Sequence, residues 1–161
     1  MGGRTRGVLI AGIVWVGLSL EVVRSNVVFP SKADNDTVSV LVAYLCIFAA
    51  LFLIGALAGR SEASRKGQAL AGLIAGLMIG ALTIATFAVV DNVWLNIVSQ
   101  QQTKIDGFAH SGASSMRDYI NSGLAGGAVF LSVALGIFGA ALSLLGGAVG
   151  AGSRPPTAGL R

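Results

Sequence analysis

The charges in this chain are placed so that they leave long stretches without any. Residues 37–59, 67–90 and 119–153 carry none, giving runs of 23, 24 and 35 residues. Between Arg6 and Arg24 the sole charge is Glu21. An α-helix rising ~1.5 Å per residue needs about 20 predominantly apolar residues to cross ~30 Å of hydrocarbon. Lipid gives the backbone no hydrogen-bond partners, so only helices and closed barrels can span it. Barrel strands alternate in character over about ten residues, and these runs are longer and continuous. Four transmembrane helices are therefore predicted, over 7–27, 38–59, 68–98 and 117–150.

Composition closes off the alternatives. Charged residues make up 11% of the chain, against about 25% in an average soluble domain. Such a chain cannot clothe a soluble fold, and 54% hydrophobic residues is too apolar for disorder. The net charge of +4 comes from Lys and Arg scattered along the chain. With no basic stripe interleaved with aromatics, nucleic acid is not an expected partner. The single cysteine, Cys46, lies in an apolar run and is expected to be a small buried hydrophobe. One Cys and one His cannot supply a structural zinc or haem site, so no metal and no cofactor is indicated.

The fold class expected is an all-α integral membrane protein. Residues 1–161 form one domain, an antiparallel bundle of four transmembrane helices ending in a short flexible cytoplasmic tail, 151–161. Arg4 and Arg6 before an apolar run resemble the start of a signal peptide. No small-residue cleavage pattern follows at Ser19-Leu20-Glu21-Val22-Val23, so a retained signal-anchor helix is expected. Seven Lys or Arg flank one side of the four spans: Arg4, Arg6, Arg60, Arg65, Lys66, Arg154 and Arg161. Four flank the other: Arg24, Lys32, Lys104 and Arg117. By the positive-inside rule both termini are cytoplasmic, in a plasma membrane of bacterial type.

The last two helices are expected to extend beyond the bilayer on the outer side. After Asp91 the third keeps an apolar helical pattern at Val90, Trp94, Ile97 and Val98. The fourth is expected to begin near Ser115, where Ser115-x-x-Asp118 resembles a capping box. Residues 101–114 between them, rich in Gln, Gly, Ser and Ala, read as a loop. Val27-Val28-Phe29-Pro30 is apolar enough to cover this hairpin, Asp34-Asn35-Asp36 reads as a capped turn rather than a calcium loop, and Asp36 or Thr37 is expected to cap the second helix. Trp94 fits an interfacial aromatic belt.

Helices in lipid associate by close backbone approach rather than by the hydrophobic effect. Small residues recur every fourth position at Gly72, Gly76 and Gly80, at Ala128, Ser132, Gly136 and Ala140, and at Gly139, Ser143 and Gly147. A further pair is Gly55 and Gly59. They serve either packing within the bundle or an interface with a partner; Gly72, Gly76, Gly80, Ser132, Gly136 and Ala140 are the candidate interface residues.

Ionisable residues inside membrane spans are candidates for function. Glu21 and Asp91 qualify, and Arg24 either shares a helix face with Glu21 or reaches Asp91 across helices. Glu21, Arg24 and Asp91 thus form a candidate intramembrane charge network. His110 is the single histidine of the chain, the residue type most used in acid–base chemistry. It is read as a loop histidine, because the nucleophile and orienting group of an acid–base site are not evident around it. The expected function is that of a non-catalytic accessory or interaction subunit, not an enzyme. It would act within the lipid bilayer through its small-residue faces, as a homo-oligomer or within a larger membrane complex. The alternative is a small transporter or channel component using Glu21 and Asp91.

Overall fold

The computed structural model describes residues 3–30, 37–61 and 63–153. Among them every regular element is helical. Helix α1 (Gly3–Val23) runs on into a π-helical turn, Arg24–Val28; α2 covers Thr37–Arg60 and α3 Arg65–Val93. Two shorter helices follow, α4 (Leu95–Val98) and α5 (Gln102–Ser111), before α6 (Met116–Gly152). Four stretches are long and apolar enough to cross a membrane: Gly7–Val28, Thr37–Arg60, Arg65–Val93 and Met116–Gly152. Their bounds follow the charge-free runs to within a few residues, making this a multi-pass membrane protein. The expected turn at Asp34–Asp36, the Asp36 cap, Lys32, Glu62 and the tail from residue 154 lie outside the described residues. Residues 151 and 152, expected in that tail, belong to α6.

Glycine decides how the helices pack. A methyl at Gly72 would collide with the Gly139 carbonyl, one at Gly76 with the Leu135 carbonyl, and one at Gly80 with Ser132 Cα. As α3 is followed upward in sequence, its contacts on α6 descend. On the other side of α6, Gly55 meets Ser143 and Gly59 meets Gly147, while Gly146 and Gly150 rest on the Phe52 and Ala56 carbonyls. Here the two helices ascend together. The small-residue stripes are thus spent inside the chain, seating α6 against both α2 and α3. Within this contact Ser143, fully buried, donates its hydroxyl to the Gln68 carbonyl at 2.7 Å.

Helix α1 lies against α3 and α2. The indole N–H of Trp15 points at the Leu82 carbonyl (3.2 Å) and Thr86 Oγ1 (3.1 Å), and Ser19 shares a hydrogen bond with Thr86 (3.0 Å). A core of Ala11, Ile47, Leu51, Ile54, Ala75, Ile79 and Leu135 draws on all four long helices. Cys46, expected inside, is exposed on α2. The neighbouring Ile47 takes the core position instead, so the thiol occupies the outward face that lipid covers.

At three places the structure departs from four uninterrupted α-helices joined by loops, the first through side chains competing for backbone carbonyls. Ser25 donates to the Glu21 carbonyl (2.8 Å) and Asn26 to the Val22 carbonyl (2.9 Å). The ladder then widens, with the Phe29 N–H reaching the Arg24 carbonyl (2.8 Å). The helix predicted without interruption over 68–98 stops at Val93, because Trp94 leaves helical geometry (φ −108°, ψ 36°). That bend lets Val98, fully buried, join Val22 and Val90 in a second apolar cluster flanked by Val27 and Trp94. Of the apolar segment expected to cover the hairpin, Val27 packs here while Val28 and Phe29 stay exposed. The third departure is α5, which replaces the loop expected over 101–114. Gln102 bonds Asp106 one turn on (2.9 Å), His110 Nδ1 meets the Asp106 carbonyl (2.8 Å), and Gly112 at φ 67° ends the helix.

Helix α6 begins as expected. The Asp118 N–H donates to Ser115 Oγ (3.1 Å), and the hydroxyls of Ser114 and Ser115 both donate to Asp118 Oδ2 (2.5 and 2.8 Å). At ~1.5 Å per residue its length is about 55 Å, well beyond the hydrocarbon core.

Gly76→Leu should destabilise the detergent-solubilised protein by about 1–3 kcal/mol or more through overpacking. Gly123, which has nothing within 4 Å, should accept Leu with unchanged or slightly higher stability, since Leu is the better helix former. Thermal melting followed by circular dichroism separates the two; equal melting temperatures would contradict the α3–α6 contact.

Candidate functional site

The polar side chains gather at one end of the bundle, where α4 and α5 fold over the ends of α1, α3 and α6. Asp91 sits in the last turns of α3 and is 2% exposed. Lys104 of α5 reaches it, Nζ to Oδ2 at 3.3 Å. A carboxylate this buried requires a charged partner, so Lys104 ties α5 to the top of α3. Alongside, Gln101 donates to Asn26 Oδ1 (2.9 Å), joining the α4–α5 turn to the end of α1. Asn92 donates to Asn121 Oδ1 (2.9 Å), joining α3 to α6. The Tyr119 hydroxyl lies on Gly107, and its ring meets Phe108 at 6.3 Å between centroids. A Cβ at residue 107 would push the Tyr119 hydroxyl aside.

The three residues of the candidate charge network fall into two places. Arg24 Nε binds Glu21 Oε2 at 2.9 Å and Nη2 binds Oε1 at 3.2 Å, a two-pronged pair on one helix face. Both side chains are partly exposed, so a pair of this kind contributes little, ~0–1 kcal/mol. Asp91 pairs with Lys104 rather than Arg24. The sequence reading missed Lys104 because it lies in a segment read as loop, and only the fold-back of α4 and α5 over the end of α3 brings it to Asp91.

Glu21 faces a different feature. A cleft of ≈ 270 Å³ opens between α1, α2, α3 and α6, with Glu21, Ser25, Asn26 and Ser39 toward the end nearest α5. Ile47, Thr83, Phe87 and Leu135 lie among its walls. Asp91 does not line it.

The remaining candidates are accounted for locally. His110 closes the last turn of α5 onto the Asp106 carbonyl, and Ser111 donates to the Phe108 carbonyl (2.8 Å). Ser114 and Ser115 are engaged in capping α6, so none of these three serines is aimed at the imidazole. Gly72, Gly76 and Gly80 face α6, Ser132 faces Gly80, and Gly136 faces Leu73 and Leu77 of α3; Ala140 is half-buried on the same helix. Among the described residues no three His, Cys, Asp or Glu side chains cluster as metal ligands do. Comparison with protein families, with curated proteins and with solved structures finds no match to this chain.

Lys104→Met should strand the Asp91 carboxylate and cost about 2 kcal/mol or more, the penalty of an unpaired buried charge. The Asp91→Asn, Lys104→Met double variant should recover most of that loss. The check is amide hydrogen exchange of 102–111 in the three proteins; equal protection in the single variant and wild type would refute the tie.

Proposed function

We propose that this protein is a non-catalytic accessory or interaction subunit of a bacterial-type plasma membrane, with both termini in the cytoplasm and the α4–α5 cap on the outer face. One observation carries the reading: the connection from α3 to α6 is built, not merely spanned. Helix hairpins usually close in about 2–8 residues, whereas here residues 94–115 fold into two helices. They are fastened to three of the long helices by Asn26–Gln101, Asp91–Lys104 and Gly107–Tyr119. Fixing a polar surface so firmly makes sense where another molecule must recognise it.

The surface proposed for a partner is the one that the packing of the bundle leaves open. The small-residue stripes first in line for that role are consumed in assembling the chain. What stays open is the outward side of α5, including exposed Gln102, Ile105 and His110, and the first half of α6. There Gly123 and Gly126 have nothing within 4 Å, and Val129 and Phe130 are exposed. A membrane protein presenting the cap beside the helix is the favoured partner; nucleic acid is not. The transporter reading asked Glu21 and Asp91 to act together. Glu21 borders the cleft and Asp91 is engaged by Lys104 outside it, so the accessory reading has the better support.

Gentle-detergent copurification with mass spectrometry tests the role. Ile105→Glu with His110→Glu should remove the captured membrane partner without altering the protein's elution or melting. An unchanged partner set would count against the cap as the recognition surface. Reporter fusions at residue 105 and after residue 153 should report opposite sides of the membrane; the same side for both would overturn the orientation.

A further inference from the structure

The end of the bundle away from α5 has a charge imbalance of its own. By sequence, Arg4, Arg6, Arg60, Arg65, Lys66, Arg154 and Arg161 fall at that end, against Glu62 as its one acidic residue of the seven in the chain. Arg65 and Lys66 open α3, are exposed, and make no ion pair among the described residues. Cations in the first turn of a helix are unfavourably placed, because the positive end of its dipole lies there. Beside these two residues a slot of ≈ 280 Å³ runs between α1 and α3. The two helices ascend together, Trp15 meeting Leu82 and Ser19 meeting Thr86, so both begin at the mouth of the slot, where Gly7 and Gly67 line it. Packing requires neither glycine. A Cβ at Gly7 would meet Ile54 at 3.5 Å and one at Gly67 would meet Ser64 at 3.4 Å, ordinary contacts unlike the collisions at Gly72 and Gly76.

We propose that this slot holds one acyl chain of an anionic phospholipid, whose phosphate rests on Arg65 and Lys66. The walls suit the chain. Val8, Leu70 and Ile74 form exposed apolar rims, and Ala71 and Ala75 lie at the base against the core. From Gly67 to Met78 the slot follows α3 for ~16 Å at ~1.5 Å per residue, close to the depth of one leaflet of a ~30 Å hydrocarbon core. The rims face outward on membrane-spanning helices, so acyl chains are the molecules that stand against them. The charges select the headgroup. An anion relieves two cations held at the positive end of a helix, whereas a zwitterionic headgroup brings a further cation to an end already rich in them. The open backbone at Gly7 and Gly67 leaves room for the headgroup to settle beside Lys66. The proposal stands independently of the accessory role, since the slot and the α5 surface lie at opposite ends of the bundle.

The test uses the full chain in detergent, supplied with phosphatidylglycerol or with phosphatidylcholine of the same acyl chains, and counts retained lipid by native mass spectrometry. Wild type should keep about one phosphatidylglycerol per chain and release phosphatidylcholine. Arg65→Gln with Lys66→Gln should weaken phosphatidylglycerol about tenfold or more, each basic group near an anionic membrane surface being worth a factor of about five. Arg117→Gln, at the other end, should leave it unchanged. Gly67→Leu, which closes the mouth, and Ala71→Leu, which fills the slot from its base, should each lose the lipid with both cations in place and the wild-type elution volume kept. Equal retention of both lipids would overturn the proposal and leave a groove open to any lipid. So would full retention in both slot variants, the behaviour of diffuse surface charge. Displacement of the lipid by excess glycerol 3-phosphate would overturn it as well, assigning the basic end to a soluble phosphate.

Discussion

Everything in this structure depends on how closely α6 can approach α2 and α3. Inside a bilayer the hydrophobic effect does not press helices together, because lipid tails are as apolar as leucine. Attraction then comes from dispersion between atoms in contact, which falls off within fractions of an ångström. Glycine at 55, 59, 72, 76 and 80 on one side, and at 139, 146, 147 and 150 on α6, removes the Cβ atoms that would hold the backbones apart. The contacts reach backbone carbonyls directly. With α6 seated this way, the Gln68–Ser143 bond and the core around Leu51, Ile79 and Leu135 fall into place.

The two ends of the bundle then differ in kind. Where α2, α3 and the last half of α6 meet, small residues close the interior tightly. Toward α5 the long helices leave a cleft, and polar side chains take over the joining. Asn26, Asp91, Asn92 and their partners Gln101, Lys104 and Asn121 provide directional bonds where small-residue contacts are absent. Lys104 keeps part of its side chain exposed while its ammonium reaches a buried carboxylate. The cap and the cleft are consequences of one change, from contact between backbones to bonds between side chains.

Much of the fold was legible in advance. The charge-free runs marked the four spans, and Ser115 with Asp118 announced the start of α6. The misreadings share a cause. Residues 101–114 read as a loop by composition, because Gln, Gly, Ser and Ala are common in loops. Their helix is supported by a Gln102–Asp106 bond, a C-terminal glycine and a tyrosine delivered by α6, none of which composition conveys. Trp94 continued an apolar helical pattern yet breaks the helix, since burying Val98 against Val22 outweighed one more regular turn. Cys46 shares its apolar run with Ile47, and burial in a run hydrophobic all round is settled by which face meets α6.

What the sequence by itself determined is the membrane and the number of crossings. A backbone in lipid must satisfy its own hydrogen bonds, and uncharged runs of this length leave helices as the solution. Tertiary structure alone decided which side chains meet. It turned the glycine stripes inward, gave Asp91 to Lys104 instead of Arg24, and set Thr86 against Trp15 and Ser19. Periodicity states which residues share a face of one helix. Only packing states what that face touches, because short-range dispersion and hydrogen bonding depend on distances that no single helix contains.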